Sequence, residues 1–135
     1  MTRQIFVNLP VADLEASIAF FTRLGFTFDP EFTDDTATCM IIGDHIFAML
    51  LTRERFAEFT PLPVSDARAA TEVLVAIALD SREAVDAMVR EALAADGASY
   101  REPRDHGFMY EHGFQDLDGH IWELVHMTGA PGNTS

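Results

Sequence analysis

The chain has 135 residues, 48% of them hydrophobic and 23% charged, a balance that fits one compact domain and excludes a collagen-like or disordered polymer. Nine Lys and Arg against 22 Asp and Glu leave a formal net charge of −13, which repels a nucleic-acid backbone and an anionic membrane alike. The opening MTRQIFVNLP has neither a basic leader nor a signal-type apolar stretch, so the expectation is a soluble, cytoplasmic protein with no nucleic acid and no membrane among its partners.

Residues 4–10, QIFVNLP, alternate Ile5, Val7 and Leu9 with Phe6 and Asn8, and read as a strand that Pro10 breaks. A helix follows: Asp13 can cap it, Leu14, Ile18, Phe21 and Leu24 repeat with helical spacing, and Gly25 tolerates a positive φ just past its end. Strands are expected at about 26–32, 37–42 and 46–51, with turns at DDT and GDH. The single cysteine, Cys39, has no internal disulfide partner and no zinc-type spacing, and reads as a small buried hydrophobe. Residues 53–70 are polar and proline-containing and read as a linker, with Phe56 and Phe59 pinning a short helical turn.

The run TEVLVAIAL reads as the next strand, and Asp80 with Glu83 has capping-box spacing ahead of Val85, Met88, Val89, Ala92 and Leu93, a helix that stops at Gly97. Strands at about 98–103, 107–115 and 120–127 complete the chain, the last two joined by a turn at Asp116–Gly119, and a loose tail is expected at 128–135. The order strand, helix, three strands thus occurs twice, in modules at about 4–52 and 71–127. Each module has an apolar sheet face it cannot cover alone. The expectation is an α+β protein whose two βαβββ modules form a curved mixed sheet around a concave pocket.

With NLPVADLEASIAFFTRLGF in the first half and FQDLDGHIWELVHM at the end, the chain resembles the vicinal oxygen chelate superfamily, which includes glyoxalase I, bleomycin-resistance proteins and extradiol dioxygenases. Within it, HGFMYEHGFQDLDGHIWE looks most like a group labelled predicted lactoylglutathione lyase. The resemblance implies a metal-chelating site drawn from the first and last strands of each half. Those positions fall on Phe6, Met49, Leu74 and Glu123, so a single carboxylate survives among apolar side chains, too little for a divalent ion. A two-residue slip brings in Asn8 or Ala76, and neither restores the set. No cofactor is therefore expected, and a divalent metal stays as the alternative.

Four histidines, His106, His112, His120 and His126, cluster near the C-terminal end. His120 and His126 share a parity that Glu123 does not, so they face away from it on a regular strand, while a noncanonical metal site would use His112, Glu111 or Glu123, first of all Glu123 with His112. Glu123 itself has two readings. On an apolar face it suits a general base for a carbon acid or an acceptor for a ligand's amine; otherwise Asn8, Tyr110 or a backbone group satisfies it structurally. Phe6, Asn8, Phe47, Met49, Leu74, Phe108 and Tyr110 are the candidate substrate-binding residues, with ordinary core as the competing reading for the aromatic and methionine members.

The arginines near strand ends or in the linker are Arg53, Arg55, Arg68, Arg101 and Arg104, a thin supply for a strongly anionic substrate. A neutral, cationic or aromatic small molecule suits the acidic chain better. The functional expectation is a small-molecule binder without the usual metal site, the alternative being a glyoxalase-like lyase or dioxygenase-like enzyme with an atypical one. Because relatives in the superfamily commonly pair and open sheet edges want a partner, a homodimer is expected.

Overall fold

Alternation at period two carries β1 (Ile5–Val11) across the predicted break, because Pro10 lies on a strand hydrogen-bonded on one side only, where a missing donor is tolerated. The computed structural model describes residues 2–128, in two compact units, one running up to Asp66 and the other from Ala67. Apart from Thr128, the expected loose tail falls outside the described residues.

In the first unit β1 leads into α1 (Leu14–Arg23), whose N-cap Asp13 accepts a hydrogen bond from the Ala16 amide at 3.1 Å. Gly25 takes φ 103° immediately after the helix, the left-handed conformation that lets the chain reverse. The strand expected at 26–32 is shorter: β2 (Thr27–Asp29) ends where Asp29 caps a 3-10 turn at Pro30–Phe32. β3 (Ala37–Gly43) and β4 (Ile46–Thr52) follow, and the presumed linker begins with a short helix, α2 (Arg53–Ala57), capped by Thr52. The strands pair in the order β1-β4-β3-β2, with β1 and β4 parallel and the other pairs antiparallel. One sheet face carries Leu9, Val11, Thr38, Met40, Ala48 and Leu50, all buried, and α1 closes this side with Leu14, Phe20 and Phe21. Met40 is therefore core.

The second unit repeats the plan. β5 (Leu74–Ala78), α3 (Arg82–Ala94), β6 (Arg104–Asp105), β7 (Met109–Gln115) and β8 (Ile121–Met127) pair in the order β5-β8-β7-β6, again with the first pair parallel. Tyr110, Phe114, Trp122 and Leu124 are buried on the face closed by Val85, Val89 and Ala92 of α3. The architecture is α+β with two βαβββ units, as expected, each unit pairing its strands into a four-stranded mixed sheet.

Three local expectations change. Ser81, one residue beyond Asp80, is the N-cap of α3, its Oγ accepting from the Ala84 amide at 3.0 Å. The second helix, expected to stop at Gly97, ends at Ala94; Asp96 takes a positive φ (77°) and the Gly97 amide closes onto the Ala92 carbonyl. The strand expected at 98–103 reduces to a bridge between Ala98 and Gln115; Pro103 has no amide to offer a ladder, and only Arg104 and Asp105 rejoin the sheet. The turn before β8 is built on Asp116. Its Oδ1 accepts from the Asp118 and His120 amides and its Oδ2 from the Trp122 indole at 2.9 Å, while burial pushes its carboxyl above the ordinary range.

Candidate functional site

Strand parity separates each sheet into the helix-packed face and an open one. On the open face of the second sheet, Glu123 lies directly across from Gly113 on one side and Ala76 on the other, the two smallest neighbours available. Glu111 and Val125 form the next row with Ala78, while Leu74 and Gln115 flank Ile121. Leu74 is 54% exposed, and Ala76 and Ala78 are exposed beside it.

The irregular 99–103 segment crosses this face instead of extending it. Its Arg101 sends one guanidinium nitrogen, Nη2, to Glu123 Oε2 at 3.0 Å and to Glu111 Oε1 at 3.4 Å. His106 Nε2 stands 3.1 Å from the same Glu111 oxygen. The Tyr100 ring lies beside the Arg101 guanidinium, 5.4 Å from its centroid, and its hydroxyl sits over Gly113. Burial pushes the Tyr100 hydroxyl above its ordinary range; Arg101 opposes that shift and the charges of Glu123 and Glu111 reinforce it. Both Tyr100 Oη and Arg101 Nε are buried without a hydrogen-bond partner. Two carboxylates thus share one guanidinium, and Arg104 stands directly across from Glu111 on β6.

Tyr110 and His112 stand elsewhere. Their even parity turns them to the helix-packed face, away from Glu123, so neither can share a ligand with that carboxylate on the open face. Tyr110 is a buried structural residue: its hydroxyl donates to Asp86 Oδ1 of α3 at 2.5 Å, Arg82 covers its ring, and burial with the Asp86 contact pushes its pKa up to about 12. Within the second unit the partner of Glu123 is Arg101 rather than His112 or Tyr110. Phe108 is 68% exposed in the turn before β7, and its carbonyl accepts from Thr128.

In the first unit the open face carries Phe6, Asn8, Phe47 and Met49 together, with Cys39 and Ile41 alongside. Phe6 and Phe47 stack at 4.9 Å between centroids, and Phe6 remains 48% exposed. Asn8 turns its amide back to the Phe6 carbonyl at 3.3 Å. The repeat makes Met49 and Glu123 equivalent, since Asn8 and Cys39 flank the first as Ala76 and Gly113 flank the second.

Phe6, Met49 and Leu74 offer a divalent ion no donor it favours, and Glu123 already holds a guanidinium; this residue set does not fit a divalent metal. Among the described residues no group of three or more His, Cys, Asp or Glu is placed to hold one. Sequence reasoning missed Tyr100 and the role of Arg101. The available signal was Gly113, a lone glycine inside a strand pattern, which marks close approach by another part of the chain.

The fold recurs in known proteins. The family model described as bleomycin resistance protein-like N-terminal matches residues 3–43. A hypothetical protein of S. aureus is 27% identical, covers 93% of this chain and 94% of its own, and superposes with a TM-score of 0.78. A glyoxalase-related enzyme from Fulvimarina pelagi gives the same TM-score, 0.78, at 20% identity, over 100% of this chain and 98% of that one. The bleomycin resistance determinant encoded on the transposon Tn5 matches at 20% identity, over 95% and 100% of the two chains, with a TM-score of 0.66. No curated protein sequence matches. The fold is that of the glyoxalase/bleomycin resistance/dioxygenase proteins. The family-model match spans residues 3–43, within the first module of that fold. No helix among the described residues is long and apolar enough to cross a membrane.

Proposed function

We propose that this protein binds a small organic molecule, neutral, cationic or aromatic, on the open faces of its sheets and without a divalent metal. One observation carries the reading: of the positions where the superfamily resemblance implies metal ligands, three are Phe6, Met49 and Leu74, and the fourth, Glu123, is ion-paired with Arg101 at 3.0 Å. One carboxylate, itself paired with a guanidinium, supplies too few donors for a divalent ion, and it is not a lone base among apolar side chains. The exposed Phe6–Phe47 stack supplies a surface on which an aromatic ligand can lie, and the net charge of −13 draws cations to the chain. Capture of a bleomycin-like compound, as the resemblance implies, is the model for this activity; a homodimer in the cytoplasm is part of the same proposal.

Titration calorimetry with metal-free bleomycin in excess chelator tests it. Binding is expected, weakened at least about tenfold by Phe6→Ala through lost stacking area. The opposing result is turnover of methylglyoxal with glutathione once Ni, Zn, Mn or Fe is supplied, lost in Glu123→Gln, which would establish the glyoxalase-like lyase instead. Sedimentation at micromolar concentration checks the dimer.

A further inference from the structure

The acidic pair on the second sheet is occupied by a cation from the protein's own chain. We propose that Glu111 and Glu123 form a binding site for the guanidinium or amine head of an external cation, and that Arg101 is a resident stand-in which such a ligand displaces. The proposal rests on the small-molecule reading above and narrows its ligand class.

The spacing of the two carboxylates is already shown to accept a guanidinium, since Arg101 Nη2 reaches both, at 3.0 and 3.4 Å. The resident contact is a poor one. A single nitrogen serves both acids, without the parallel two-bond geometry that makes an Arg–carboxylate pair strong, and Arg101 Nε is left buried and unpartnered. Tyr100, its neighbour on the strap, carries a second buried unpartnered atom, Oη. Lifting the strap returns both groups to water, which offsets the ion pairs given up. Between the Ala98–Gln115 bridge and the Arg104–Glu111 pair, residues 99–103 belong to no strand, so displacement breaks no ladder.

The surroundings select the ligand's other end. Leu74, Ala76 and Ala78 lie exposed on the face of Glu123, an apolar floor for an alkyl or aryl body. His106 touches Glu111, and Arg104 stands across from the same residue on β6. An anion finds Arg101 already committed to two carboxylates.

The probe is n-hexylguanidinium, followed by calorimetry and by 1H–15N spectra of the full chain. Binding to the wild type is expected to shift the Arg101 Nε–H resonance and the Ala76 amide. Arg101→Ala, which removes the internal competitor, is expected to bind at least about tenfold more tightly, and Glu123→Gln added to it to abolish the gain. Hexylguanidinium binding that leaves the Arg101 resonance unmoved overturns the proposal, and this wild-type measurement stands whether or not R101A folds. A folded R101A with no gain also overturns it, as does hexanoate binding that R101A loses. Coumarin, a neutral aromatic, separates the two readings: if coumarin shifts Phe6 and Phe47 while hexylguanidinium binds nowhere, the cation site falls and the small-molecule reading stands. If neither binds, both fall.

Discussion

Replacing Gly113 with alanine puts a methyl group where the fold has none to spare. An ideal Cβ there would collide with Tyr100 Oη and lie 3.0 Å from Tyr100 Cζ and 2.6 Å from the backbone oxygen of Trp122. Tyr100 can swing aside, but the Trp122 carbonyl belongs to β8, directly alongside in the ladder, and moves only if β7 and β8 part. Overpacking of this kind costs about 1–3 kcal/mol. Displacing the half-buried Tyr100 ring adds roughly 1 kcal/mol of lost apolar burial, for a total of about 2–4 kcal/mol. The φ at Gly113 is not in the left-handed region, so in open space the same change would stabilise the fold by about 0.4–1 kcal/mol through the unfolded chain. The sign of the effect therefore reports the steric conflict. Urea unfolding followed by the fluorescence of Trp122, the single tryptophan and itself buried in this unit, reads it directly. A midpoint at or above that of the wild type, with unchanged slope, would falsify the placement of Tyr100 over Gly113; the expected loss corresponds to roughly 8–16 °C in Tm.

Tyr110→Phe removes the 2.5 Å bond to Asp86 and is expected to cost about 1 kcal/mol in the same urea assay. Because the folded-state pKa of Tyr110 is raised to about 12, its contribution is full below the ordinary value near 10 and is lost as pH rises through 12. The wild type should shed stability across that window by an amount that Y110F does not share. Ser81→Ala is expected to cost about 1 kcal/mol, whereas Asp80→Ala stays within about 0.5 kcal/mol, and equal losses would contradict the cap assignment. Burial, helped by the charge of Asp29, pushes the Cys39 thiol up, so native protein at pH 8 should react with a thiol reagent far more slowly than unfolded protein; equal rates would refute its burial.

Much of the fold was legible because its signals are local. Alternation placed β1, β4, β5 and β8 within a residue or three of their bounds, and the 3.6-residue period with Asp13 and Gly25 located α1. Parity on β8 was enough to turn His126 away from Glu123, because side-chain direction alternates without reference to anything distant. The same counting set Phe6 and Met49 on one face of the first sheet and Leu74 with Glu123 on one face of the second. Boundaries decided by capping geometry were missed by small steps, as at Ser81 and Asp96, where neighbouring residues compete for one conformation.

The sequence by itself determined the order of elements, the duplication of the module and the apolar character of three of the four positions where the resemblance implies metal ligands. Only the tertiary structure decided what occupies Glu123. Residues 98–103 alternate well enough to read as a strand, and nothing local says that the segment leaves the ladder after Ala98 and lays Tyr100 and Arg101 across Gly113, Glu111 and Glu123. That outcome depends on room made by glycine and on charges far apart in the chain, and a one-dimensional pattern carries neither.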